Sequence, residues 1–340
     1  MKKLFSTAVA CVLATMTMSC GNGACGTPCS KEKFDTLSYI VGMDISTQID
    51  NGIMPQLKAD YDVIVNTIKK AVNGKDKFKV GDVKITKENI QEVGMKYLGP
   101  GISQKVQAAM ADTTGMTEVF DTPTDKEIAS TLLGADIAFS FEKMPFEIKA
   151  KSLMQGIEET HNGKQMITTE EAREFMQNYF TVVLPEKNGK LSKEWLEKIE
   201  KKEKGVKKTE SGILYKIVSE GDMNVKAIND TDTVKVLYTG KTREDKVFDS
   251  NRWSDLPDER KEMIKKFQPD QVEKDNPIEF PLNRVIKGWT EGMKLVGQGG
   301  RIILWIPAEL AYGKQGAGQD IGANEALCFD VELLEVKSAK

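Results

Sequence analysis

The stretch Val234-Lys-Val-Leu-Tyr-Thr-Gly240, which leads into Val247-Phe-Asp-Ser250, puts Val234, Val236 and Tyr238 on one face. That period of two is what a half-buried strand requires. Three more runs have strand character: Ile213-Leu-Tyr-Lys-Ile-Val218, Arg301 to Ile306, and Leu327 to Val336, the last with Phe329, Val331 and Leu333 on one face. Between them, Gly288 to Leu295 suits one short helix. Strands covered by a single helix predict an α+β domain over residues 209–337.

On the N-terminal side the pattern turns helical. Residues 191–208 are densely charged, with Glu-to-Lys pairs at Glu194–Lys198, Glu197–Lys201 and Glu200–Lys204, the better orientation on a helix. Trp195, Leu196 and Ile199 make only a narrow stripe, so a solvated connecting helix is expected rather than a coiled coil. Before it lies an internal repeat. Leu37-Ser-Tyr-Ile-Val-Gly-Met-Asp-Ile-Ser-Thr-Gln-Ile49 is similar to Ala129-Ser-Thr-Leu-Leu-Gly-Ala-Asp-Ile-Ala-Phe-Ser-Phe141, aligning Gly42 with Gly134, Asp44 with Asp136 and Ile45 with Ile137. Leu37, Val41, Ile45 and Ile49 predict an amphipathic helix. Tyr61 to Val72, ended by Asn73-Gly74, matches Phe146 to Thr160, ended by Asn162-Gly163. Thr86 and Thr168 stand where helix N-caps are expected, before third helices reaching Tyr97 and Tyr179. A three-helix unit is thus duplicated, over residues 34–112 and 124–190, as an all-α N-terminal region.

The chain has 340 residues, enough for two or three domains at about 100–200 residues each. Its net charge of −3 argues against general nucleic-acid binding. Residues 1–19 have the make-up of a signal peptide, with Lys2 and Lys3 before the apolar run Leu4 to Met18. Ser19-Cys20 fits lipoprotein cleavage, although Thr17 stands where a leucine is usual; ordinary secretory cleavage is the alternative. Cys20 is then the lipidation site, residues 20–33 a flexible tether, and the mature chain an exported, lipid-anchored protein facing the periplasm at the outer membrane. Cys25 and Cys29 either pair or do nothing, and Cys328 is read as a core residue. The single histidine, His161, sits in a polar turn and is read as solvated. No Cys/His spacing suggests a metal, and no cofactor is expected.

Five blocks carry a more specific signal: Val236-Leu-Tyr-Thr-Gly240, Val247-Phe-Asp-Ser250, Val285-Ile-Lys-Gly-Trp-Thr-Glu-Gly292, Ile306-Pro-Ala-Glu-Leu-Ala-Tyr-Gly313 and Leu327-Cys-Phe-Asp-Val-Glu-Leu333. In this order they resemble the FKBP-type peptidyl-prolyl isomerases, and Glu210 to Lys216 resembles the lead-in of exported bacterial members. The resemblance implies an antiparallel sheet wrapped on one short helix, isomerase activity, and proline-containing polypeptides as partners. It implies Trp289 as the floor under the proline ring, with Tyr238, Phe248, Val285, Ile286, Ile321 and Phe329 as walls. The Ile286 N–H and the Tyr312 hydroxyl would meet substrate carbonyls, and Asp249 would lie beside the twisting amide without transferring a proton. Core packing is the alternative for each aromatic, and a turn role for Asp249 and Tyr312. The family's helical N-terminal domain joins two subunits, which leaves either a homodimer or, through the duplication, an intramolecular pseudo-dimer.

The chemistry fits these residue types. Prolyl cis and trans forms differ little in energy but interconvert over tens to hundreds of seconds. The barrier comes from amide resonance, so a dry pocket that favours the twisted amide needs no nucleophile and no metal. The sequence also departs from the family. Residues 251–275 form an insertion with 13 charges in 25 positions, in which Glu259 to Phe267 has helical character. A pocket aromatic expected near Ile278 is aliphatic. Ile321-Gly-Ala replaces a proline-containing rim run, which predicts a more flexible loop. A chaperone or scaffold without catalysis is the competing class.

Overall fold

The computed structural model describes residues 34–112, 114 and 116–338, so the expected signal peptide, tether, Cys20, Cys25 and Cys29 lie outside the described residues. The chain divides into two compact units after Gln177.

In the first unit, helix α1 (Thr36–Gln48) begins at Asp35, whose carboxylate accepts the Ser38 N–H at 2.7 Å. A π-helical turn, Ile49–Ile53, leads to α2 (Met54–Leu57). α3 (Tyr61–Val72) is capped alike by Asp60 and stops at Gly74, where φ is +97°. A hairpin of β1 (Phe78–Val80) and β2 (Val83–Ile85) follows, then α4 (Ile90–Tyr97) and α5 (Pro100–Ala111). The second copy supplies α6 (Pro123–Ser140), α7 (Ala150–His161) and α8 (Thr169–Asn178). Thr168 caps α8 in a reciprocal box with Glu171. Thr86 does not cap: its N–H donates to Asn89 Oδ1 at 2.8 Å, and α4 starts only at Ile90.

The two copies exchange partners. The first helix of each lies against the second helix of the other. Ser38 Oγ on α1 accepts the Lys149 N–H at the start of α7, at 2.8 Å. Ser130 Oγ on α6, the matching residue, accepts the Asp60 N–H at the start of α3, also at 2.8 Å. A Cβ added at Gly42 would stand 2.2 Å from the Leu153 carbonyl oxygen, and one at Gly134 would stand 2.5 Å from that of Ile64. The aligned glycines are therefore where the helix backbones touch. This close crossing changes the expected pattern of α1. It is not amphipathic: Tyr39, Ile40, Val41, Met43 and Ile45 are all buried, on every side of the helix. His161 is exposed, as read, but it belongs to a helix and has partners. It ends α7, stacks on Tyr61 with ring centroids 3.9 Å apart, and its Nδ1 lies 2.9 Å from Asp50.

The second unit begins with α9 (Leu184–Lys202), then β3 (Lys207–Lys208), β4 (Leu214–Ser219), β5 (Thr233–Lys241) and β6 (Val247–Ser250). α10 (Asp258–Phe267) lies within the insertion and is followed by β7 (Ile278–Pro281), α11 (Lys287–Gly292), β8 (Arg301–Ile306) and β9 (Leu327–Lys337). The strands form one antiparallel sheet in the order β3-β4-β8-β9-β5-β6, with β7 also pairing β5. β9 runs along one side of β5, while β7 and then β6 share the other. Val234, Val236, Val331 and Leu333 face the core with Leu304 and Met293, all fully buried. Asn251 ties the insertion down at its root, accepting the Tyr238 N–H at 2.6 Å and donating to the Val236 carbonyl at 2.9 Å. Cys328 is half-buried on β9, and burial pushes its thiol up to about 12.

The connecting helix differs from its expected form. It runs Leu184–Lys202 instead of 191–208, and Lys207 and Lys208 are already in a strand. It is not solvated all round, because Leu184, Pro185, Asn188 and Ser192 are buried. Glu200 pairs with Lys208 at 3.0 Å, and Glu194 stands 4.0 Å from Lys190.

Candidate active site

The site is built on α11. A Cβ at Gly288 would stand 2.4 Å from the Ile306 side chain and one at Gly292 2.5 Å from that of Leu304, so the two glycines give this helix its close approach to β8. Trp289, between them, is held against the sheet with 5% exposure. Three rings meet its indole edge-on: Tyr238 at 5.1 Å, Phe329 at 5.4 Å and Phe280 at 5.8 Å between centroids. Phe248 packs on Phe329 at 5.6 Å. Such T-shaped contacts suit the quadrupoles of the rings and fix the indole plane. The indole N–H is buried without a hydrogen-bond partner among the described residues, which leaves one free donor at the floor.

Val285, Ile286 and Ile321 pack against the same core. The Ile286 carbonyl accepts from Trp289 and Thr290 at 2.9 and 3.2 Å, whereas its N–H, at the helix N-cap position, donates to nothing among the described residues. Asp249 is exposed at the rim, and the Tyr238 hydroxyl donates to its Oδ2. Burial, and then that hydrogen bond, raises the Tyr238 pKa above the ordinary tyrosine range. Tyr312, 39% exposed, is raised by burial and by the Asp249 charge. Both hydroxyls thus stay protonated and can donate near neutral pH.

These nine sequence-picked residues fall into one place: Trp289, Tyr238, Phe329 and Phe248 in ring contact, Val285, Ile286 and Ile321 around them, Asp249 and Tyr312 linked electrostatically to Tyr238. Phe280 was missed. Strand alternation carries it: Ile278 and Phe280 pair with Val236 and Val234 on β5, so both face the core. Ile278 remains aliphatic, while Phe280, two residues on, packs against Tyr238 and Trp289. The rim loop also differs from expectation. It lacks the prolines, yet it is held by side chains from α9: Asn188 Nδ2 donates to the Ala323 carbonyl at 3.1 Å and Ser192 Oγ to that of Asn324 at 3.0 Å.

Comparison with known proteins gives the same family from independent stretches. Residues 225–334 match the family model for the FKBP-type peptidyl-prolyl cis-trans isomerase, and residues 126–217 match that for the domain amino terminal to it. The "Probable FKBP-type peptidyl-prolyl cis-trans isomerase" of Haemophilus influenzae is 48% identical over 135 residues, 40% of this chain and 47% of that relative. The "Probable FKBP-type peptidyl-prolyl cis-trans isomerase FkpA" of Neisseria meningitidis is 34% identical over 61% of this chain and 73% of its own length. The "Outer membrane protein MIP" of Legionella longbeachae is 30% identical, over 70% of this chain and 95% of its own. With 34% and 30% identity along 73% and 95% of these two relatives, the chain belongs to the family of FKBP-type peptidyl-prolyl cis-trans isomerases.

Proposed function

We propose that this protein is a peptidyl-prolyl cis-trans isomerase that acts on proline-containing segments of unfolded or partly folded envelope polypeptides. The observation that carries this is the Trp289 floor, walled by Tyr238, Phe280 and Phe329 and flanked by Asp249 and Tyr312. A proline ring against the indole puts its amide among apolar rings. Water can no longer support the planar, polar amide there, and the twisted form gains relative to it. The Ile286 N–H and Tyr312 hydroxyl hold the flanking carbonyls. Asp249, oriented by Tyr238, shapes the field beside the carbonyl that turns. No bond is made and no proton moves.

The direct test is the cis-to-trans relaxation of a proline tetrapeptide with purified protein. Acceleration that is abolished in Trp289→Ala and reduced in Asp249→Ala supports the assignment; absence of acceleration by the wild type overturns it. A chaperone reading has one observation in its favour. Met95, Met110, Met116 and Met166 in the helical unit are exposed, and such side chains adapt to varied apolar partners. Suppression of aggregation by a protein that fails the peptide assay would favour it.

The N-terminal pattern supports export with a lipid on Cys20, and Cys20→Ala is expected to release the protein from membranes. The exchange of helices between the two copies supports a pseudo-dimer within one chain. Light scattering is then expected to give a monomer, and a stable dimer held by residues 34–190 would overturn that reading.

A further inference from the structure

We propose that Asn188 and Ser192, on α9, are positioning residues for the prolyl pocket: they hold the rim loop so that Ile321 and Tyr312 face the substrate. The proposal rests on the isomerase reading of the site.

α9 reaches the loop through polar side chains that are themselves buried, Asn188 at 6% and Ser192 at 4% exposure. Ser192 clamps two backbone groups of the loop at once. Its Oγ donates to the Asn324 carbonyl at 3.0 Å and accepts the Ala326 N–H at 2.9 Å. Asn188 donates to the Ala323 carbonyl at 3.1 Å, and Asn324 Nδ2 returns a bond to the Pro185 carbonyl at 3.2 Å. The two surfaces also meet closely at Gly322, where a Cβ would stand 2.7 Å from Asn188 Nδ2. Arg243 completes the cluster, donating to Asn188 Oδ1 at 3.2 Å and lying 3.6 Å from the buried Glu325 carboxylate, which accepts the Gly322 N–H at 2.7 Å.

The clamp is continuous with the pocket in two directions. Asn324, held at φ +56°, donates its N–H to the Gly313 carbonyl at 2.7 Å, next to Tyr312. On the other side Gly322 follows Ile321, which closes on Ala317 through paired backbone bonds of 2.9 and 3.1 Å and is 7% exposed in the pocket wall. The clamp fixes from outside a loop that has no proline to stiffen it. The Ala326 N–H is buried and has Ser192 Oγ as its partner, so cutting that side chain back leaves a buried donor unpaired and loosens the loop.

The test uses the full chain with Ser192→Ala, Ser192→Thr and Asn188→Ala. Ser192→Ala is expected to raise the KM for a proline tetrapeptide about three- to tenfold with kcat within about twofold, a loss of binding shared by ground and transition states. Amide exchange at residues 322–326 should accelerate by about tenfold. Ser192→Thr, which keeps the hydroxyl, should restore both, and Asn188→Ala should repeat the effect at Ala323 if Ser192→Ala does not fold. An unchanged KM and unchanged exchange would overturn the proposal, as would a loss in kcat and KM that follows melting temperature and is not rescued by threonine. An inactive wild type would overturn the isomerase reading alone, since loop exchange and peptide affinity still report on the clamp.

Discussion

Replacing Tyr238 with phenylalanine separates the packing of the pocket from its electrostatics. The ring is 7% exposed and edge-on to Trp289 at 5.1 Å, so Phe keeps the wall intact. Only the hydroxyl that donates to Asp249 is lost. A hydrogen bond to a charged partner contributes about 1.5–3 kcal/mol when well shielded. Asp249 is exposed, and water takes the vacated place, so a loss of about 0.5–1.5 kcal/mol is expected. If the carboxylate must be held beside the twisting amide, that loss appears in the barrier, as a fall of about two- to twelvefold in kcat/KM. The assay is relaxation of a proline tetrapeptide, with Asp249→Asn and the double variant closing a cycle. The two single effects should be clearly non-additive, because the hydroxyl acts only through the carboxylate. Wild-type activity in Tyr238→Phe beside a large loss in Asp249→Asn would refute the idea that Tyr238 orients Asp249.

Three further outcomes follow from the packing and the charges. Gly134→Ala should destabilise the helical unit by about 1–2 kcal/mol in urea unfolding, overpacking exceeding the gain in helix propensity; Gly101→Ala, with open space around its Cβ, should be neutral or stabilising. Burial raises Tyr39 and Tyr61 from the ordinary 10.0 to about 12, with Glu159 adding at Tyr39 and Asp50 at Tyr61. The fold therefore favours the neutral hydroxyls, a contribution complete below pH 10 and lost as pH rises towards about 12, so melting temperature should fall across that window and fall less in Tyr39→Phe. Arg243→Leu leaves the Glu325 carboxylate buried without its cation and should cost about 3 kcal/mol in unfolding of the second unit. Glu325→Gln should cost less, because the amide oxygen can still accept from Gly322.

What the sequence made legible was what depends on near neighbours or on a shared face. Val234, Val236 and Tyr238 declare a strand by alternation, and the five ordered blocks place the aromatic residues around Trp289. Three-residue strands such as β1 and β2 have too little alternation to register. Phe280 is legible only through its strand partner Val234, which sets it on the core face two residues beyond Ile278. Asn188 and Ser192 could not be read as buried at all. Their partners are loop carbonyls more than 130 residues away, and an apolar stripe says nothing about a polar clamp. The matched glycines Gly42 and Gly134 marked the duplication, but only the crossing helices show that the glycine is needed for backbone contact.

The crossed pairing of the helical copies also sets an order of events as the chain is made. Ser38 waits for Lys149, 111 residues further on, and Asp60 for Ser130, 70 residues on. Neither copy can close its own hairpin and move aside. Contacts of such long range are slow to form, because the intervening chain must be ordered before they return anything. During synthesis α1 therefore carries Tyr39, Ile40, Val41 and Met43 uncovered until α7 exists, and a nascent chain stopped before Ala150 leaves that whole helix open to other partners.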